Sequence, residues 1–297
     1  MTIESAEMAM IEALWEECSN VGRWGPDDEL GTANLISQDK RVAAAALVRT
    51  GEVISLGRPL DPVESAINSE PFRLRMLYLG PSPIGAVSEF TLHQHTMAVT
   101  HVDAPSHMFF RGESFNGRQA DDVVGPDGLS YGSSMAFASG LVTRGVLLDI
   151  PASRGTAYLE PREAVTPADL DAAERFAGTA VSAGDAVIVR TGFDALERER
   201  GPQPWSPRSG LSPECLRWIH HKQVAVFGGD CVGSIPGPDV MPFPLHQIGL
   251  ARMGLVLVHA LALEELASRR PSPFLFVCAP MQIPGGTGAP ANPLAIL

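Results

Sequence analysis

Between His93 and His107 the sequence reads H-Q-H-T-M-A-V-T-H-V-D-A-P-S-H, which gathers four of the chain's eight histidines around one aspartate. Imidazole nitrogen and carboxylate oxygen are donors that Zn²⁺ and Mn²⁺ accept, and imidazole also titrates near physiological pH. The stretch therefore points to metal ligation, to general acid–base catalysis, or to both. Side chains on a strand alternate faces with period two. If residues 93–103 form one strand, His93, His95, Met97, Val99, His101 and Asp103 share a face. A bulge would break that register, so the parity is firmest over the short span His101–Asp103. Pro105 cannot donate to a ladder and should end the strand. His107 then falls on the loop just beyond, a natural place for a general acid–base.

Such a segment needs a scaffold, and short apolar runs bounded by Gly and Pro supply strand candidates. They are Glu52–Leu56, Val87–Thr100, Gly145–Ile150, Ala186–Arg190, Val224–Phe227 and Phe274–Ala279. Helices are expected over residues 1–20, from an N-cap at Ser37, after Thr166-Pro167, after Ser212-Pro213, and over Leu261–Arg269. No regular βαβ beat and no internal repeat is visible, so the expectation is an α/β or α+β layered domain. No linker divides it. The reading is a helical extension over residues 1–51 and one catalytic domain over 52–297.

Bulk properties narrow the function. A net charge of −12 without clustered Lys and Arg argues against nucleic acid as a partner and leaves a small molecule. No apolar run reaches the roughly 18 residues of a membrane span. The acidic opening M-T-I-E-S-A-E lacks the basic start of a secretory signal. Cys18, Cys215, Cys231 and Cys278 form no C-x-x-C pair, which fits reduced thiols and a cytoplasmic location.

The run T-H-V-D-A-P-S-H (Thr100–His107) resembles the H-x-G-T-H-x-D-A-P-x-H signature of the putative cyclase family, which includes kynurenine formamidases and isatin hydrolases. W-G-P-D-D-E-L-G-T-A-N-L-I (24–36), R-G-V-L-L-D-I (144–150), G-D-A-V-I-V-R-T-G (184–192) and P-G-G-T-G-A-P-A-N-P-L-A-I (284–296) resemble further family segments, so the likeness covers most of the chain. It implies a swivelling β/β/α fold, a homo-oligomer (dimer or tetramer), and hydrolysis of a C–N bond aided by Zn²⁺ or Mn²⁺. It also implies His101 and Asp103 as metal ligands and His107 as the catalytic histidine. His246 matches a late family ligand, and His259 stands where the family has Glu. The first signature His falls on Met97 and the signature Gly on Val99. A thioether is a soft donor, poor for these ions, which argues against a binuclear centre. His93 or His95 is then a candidate replacement ligand.

Asp230, in F-G-G-D-C-V-G, follows a strand and is either a turn former or a substrate-facing group. Cys231 has no sequence-adjacent base and is a poor nucleophile candidate. Gly285–Gly288 lacks the Lys-Ser/Thr end of a phosphate loop and reads as a tight turn near the site. Two readings remain open: a metal-dependent amide, formamide or lactam hydrolase with His107 as acid–base, or a lyase, dehydratase or cyclase without metal on the same fold.

Overall fold

Ala186–Arg190 reads A-V-I-V-R and is buried at every position, as a strand covered on both faces must be. It lies at the centre of a nine-stranded sheet in the computed structural model, which describes residues 3–80, 84–204, 206–231, 241–271 and 273–297. In chain order the strands are β1 Val53–Ser55, β2 His101–Asp103, β3 Leu141–Asp149, β4 Ala186–Arg190 and β5 Val226–Gly229, then β6 Val256–His259, β7 Phe274–Cys278, β8 Gly288–Pro290 and β9 Leu294–Ile296. Across the sheet they run β1-β9-β7-β3-β4-β5-β6-β2-β8. The central four, β3 to β6, are parallel. The strands on either side are antiparallel. The mixed α/β class expected from the sequence is the observed one.

The absence of a βαβ beat needs correction. The helices longer than five residues are α1 Ile3–Glu17, α2 Gln38–Ala45, α3 Pro167–Ala177, α4 Phe193–Arg200, α5 Cys215–His221, α6 Pro244–Ala251 and α7 Glu264–Arg269. α3 lies between β3 and β4, α4 and α5 between β4 and β5, and α6 between β5 and β6, so the parallel strands are joined by helical crossovers. Loops of unequal length hide the period in the sequence. Ser37 caps α2 by accepting from the Lys40 N–H. Thr166 and Asp169 form a full capping box on α3. The helix after Ser212-Pro213 begins later than expected, at Cys215, with no side-chain cap.

Both sheet faces are packed. Val187, Val189 and Leu257 meet Ile11 and Leu14 of α1, Ile219 of α5 and Ile248 of α6 on one side. Ile188, Val226 and Val258 meet Ile54, Phe276 and Leu266 on the other. α1 is thus built into the same core as the sheet.

The stretch 93–103 is not one strand. Ala86–Thr91 pairs with Arg73–Tyr78 in a separate hairpin, and sheet pairing resumes only at His101. Leu74, Met76, Tyr78 and Phe90 share one face of that hairpin and are exposed. Only the His101–Asp103 part of the parity argument survives.

Asp230, directly after β5, is 2% exposed and accepts from Thr191 N (2.8 Å), Thr191 Oγ1 (2.9 Å), Gly192 N (2.8 Å) and Phe193 N (3.1 Å). Both carboxylate oxygens are spent on the turn that opens α4. The substrate-facing alternative for Asp230 therefore gives way to the turn-forming one. Asp230→Ala would strand buried N–H and O–H donors at 1–3 kcal/mol each. We expect a loss on the order of 4 kcal/mol in urea unfolding, and a smaller one for Asp230→Asn, which keeps one acceptor.

Candidate metal centre

β2 lies between β6 and β8, with His101 opposite His259 and Asp103 opposite Gly288. Directly paired residues of antiparallel strands point to the same face. Register therefore places His101, Asp103 and His259 together, although His259 is far away in sequence. α6 brings His246 in its first turn, where Phe243 takes a left-handed conformation and its carbonyl accepts from His246 N. The loop before β2 delivers His95 and the turn after it His107, whose N–H donates to Ala104 O at 3.0 Å. Gly288 leaves room for this convergence. A Cβ there would stand 2.6 Å from His95 Cε1 and 2.8 Å from Val102 O.

Asp103, 1% exposed, is the hub. Its Oδ1 lies 3.3 Å from His95 Nδ1, 3.4 Å from His101 Nε2 and 3.9 Å from His107 Nε2. Its Oδ2 lies 3.0 Å from His259 Nε2 and 3.7 Å from His246 Nε2. The rings pack tightly: His95 stacks on His107 at 3.9 Å and His246 on His259 at 4.6 Å. His101 Nδ1 faces Val99 O at 2.8 Å, and a carbonyl only accepts. Nδ1 therefore carries the proton, and in the neutral ring Nε2 presents a lone pair to Asp103. His95 is fixed by Thr287 Oγ1, 2.9 Å from its Nε2. Such outer partners orient ligand histidines.

Four of the atoms that face one another in the cluster lack hydrogen-bond partners. Both Asp103 oxygens, His95 Nδ1 and His259 Nε2 are buried without one. Lone pairs aimed at lone pairs are repulsive unless a proton or a cation lies between them. Two three-donor groups, His95–His101–Asp103 and Asp103–His246–His259, each hold their ligand atoms within 4.8 Å. All are hard or borderline N and O donors, the chemistry of Zn²⁺ and Mn²⁺, so the residues fit such an ion. One carboxylate shared by two groups accommodates one ion or two, which weakens the sequence argument against a binuclear centre. His95, one of the two replacement candidates, falls in the first of these groups.

Burial alone would raise the Asp103 pKa, but His259, His101 and His95 around it win and hold the carboxyl well below the usual carboxylate range. Burial pushes His246 down to about 3 and His107 down to about 4. Both imidazoles are therefore neutral at physiological pH, as a ligand or a proton acceptor must be.

A cavity of about 210 Å³ opens onto this cluster, walled on its apolar side by Met97, Met108 and Phe243. Met97 lines the cavity wall beside the cluster. His93 is excluded from the site: its exposed ring faces Glu70 at 3.5 Å. Thr287 and Gly288 belong to the Gly-rich turn that the sequence marks as lying near the site, whereas Met108 and Phe243 carry no local pattern that signals them.

A curled α/β sheet bearing a buried His/Asp cluster of metal-ligand type defines the class. Residues 36–234 match the sequence model of the family described as putative cyclase, and the chain belongs to that family. Isatin hydrolase from Roseibium aggregatum is 28% identical over 128 residues, 39% of this chain and 46% of the relative, so the match spans about half of that protein. A crystal structure described as a novel cyclase is 27% identical, with a TM-score of 0.85 over 95% of this chain and 99% of the other. An isatin hydrolase bound to the product analogue thioisatinate is 21% identical, with a TM-score of 0.62 over 88% and 99%. At that identity the likeness is one of fold. No helix among the described residues is long and apolar enough to cross a membrane.

Proposed function

We propose that this chain is a metal-assisted hydrolase of a C–N bond, an amide, formamide or lactam, in a small molecule. One observation carries the reading: a buried carboxylate with both oxygens unpartnered, ringed by five imidazoles. The similarity to an isatin hydrolase supports the hydrolase class. His101 and Asp103, with His95 on one side and His246 and His259 on the other, would hold Zn²⁺ or Mn²⁺. When bound, the ion supplies Lewis acidity toward a carbonyl and makes water a better nucleophile at neutral pH.

The chain's own residues do the rest. His107 belongs to neither donor group, and its Nε2 faces the cluster. Neutral at physiological pH, it takes a proton from the attacking water and returns it to the leaving nitrogen. Met97, Met108 and Phe243 exclude bulk water and give a compact substrate an apolar wall.

Metal analysis of protein purified without chelators tests this reading. Zn²⁺ or Mn²⁺ is expected at one or two equivalents, with hydrolysis of formamide and lactam substrates lost in EDTA and restored by the ion. Protein without stoichiometric metal, on which added Zn²⁺ and Mn²⁺ never confer hydrolysis, would sink it. Turnover indifferent to EDTA would favour the metal-independent lyase or cyclase reading instead.

A further inference from the structure

Arg208 is 6% exposed, and its Nε, Nη1 and Nη2 are all buried without a hydrogen-bond partner. Guanidinium carries five donors and stays charged in proteins, so a native structure rarely leaves one in this state. Its Cζ lies 3.8 Å over the Phe193 ring, a contact that satisfies none of the N–H groups. Among the described residues, the acids acting on Arg208 are Asp230 and Glu197, and each makes hydrogen bonds elsewhere. Asp230 spends both oxygens on Thr191, Gly192 and Phe193, and Glu197 accepts from Gln203 N. The Cys231 thiol, pushed up to about 12 by burial, offers no negative charge. Arg58 adds a second positive charge acting on Arg208. Arg58 is paired with Asp194, but its own Nε is also buried without a partner.

Two positive side chains with unspent buried donors call for an anion. The location agrees. Phe193 closely follows β4, Cys231 closely follows β5, and the carboxyl ends of parallel strands are where open α/β sheets take ligands. β6, next in the sheet, ends on His259.

We propose that Arg208 is the receptor for a carboxylate, or for an inorganic oxyanion that matches the same fork, bound off the carboxyl ends of β4 and β5. Planar, bidentate recognition of such groups is what arginine provides and lysine does not. Hydrolysis of an amide or lactam releases a carboxylate. That link rests on the function proposed above, whereas the anion site itself does not.

The test is calorimetric titration of EDTA-treated protein with sodium benzoate, inorganic phosphate and neutral benzamide. EDTA treatment removes any anion binding that is due to metal. Saturable binding of benzoate or phosphate is expected, with benzamide at least tenfold weaker. Benzoate alone would assign a carboxylate of an organic ligand, and phosphate alone an inorganic oxyanion. Arg208→Met should lose at least tenfold in anion affinity while keeping its metal content, which is read separately. If Arg208→Met does not fold, Arg208→Lys, with the charge but not the fork, is held to the same affinity criterion. Wild-type protein that binds neither anion, or a variant that binds them unchanged, overturns the proposal.

Discussion

Replacing Asp103 by asparagine is expected to abolish metal retention and to lower kcat/KM by at least about a thousandfold, the scale of several kcal/mol of Lewis-acid stabilisation. The substitution is nearly isosteric, so the β2 ladder to β6 and β8 should persist. What changes is the hub. Both three-donor groups contain Asp103, one through each oxygen. An amide puts an N–H₂ donor where one oxygen stood and removes the charge that offsets a dication. One substitution therefore disables both groups at once, whereas His95→Ala or His246→Ala leaves one intact. Metal content after exhaustive dialysis, kcat/KM and far-UV circular dichroism measured together decide the matter. A folded Asp103→Asn protein that retains its metal and turns over at the wild-type rate would remove the carboxylate from the centre of the mechanism.

The site was legible where its geometry is local. His101 and Asp103 follow from strand periodicity, and His107 from a proline that ends the strand. His246 and His259 came from resemblance alone. Their approach depends on long-range pairing, His259 against His101, which no spacing in the sequence encodes. His93 and His95 looked equivalent by parity. The chain leaves the extended form after Thr91, and the turn that follows turns His95 inward and leaves His93 at the surface. The two longest of the helices missed by the sequence reading have similar explanations. α4 starts from Gly192 in a left-handed conformation with no side-chain cap. α6 begins amid Pro242, Phe243 and Pro244, a run that reads as loop, though proline is well suited to the first turn of a helix. The hairpin strand Arg73–Tyr78 lies between Pro71 and Gly80-Pro81, but its basic–apolar alternation covers only Arg73–Met76 before Leu77 breaks the period.

His107→Gln should separate chemistry from metal binding. Loss of a positioned general acid–base typically costs 10²–10⁴ in rate, about 3–5 kcal/mol in the barrier. His107 lies outside both three-donor groups, so the metal content of the variant should equal that of wild type. That pattern, full metal with kcat reduced by about a thousandfold, is the opposite of the one expected from Asp103→Asn. The pH dependence gives a second handle. Burial chiefly drives His107 down to about 4, against the pull of Asp103 in the other direction, and the neighbouring imidazoles add to the fall. The neutral, proton-accepting form is then present from above about pH 4, and its contribution to kcat/KM disappears as the pH falls through that value. Wild-type enzyme should show no limb from His107 near the ordinary histidine range, and the low-pH limb should be missing from the residual activity of His107→Gln. Retention of wild-type kcat by a metal-replete His107→Gln protein would assign the proton transfer elsewhere.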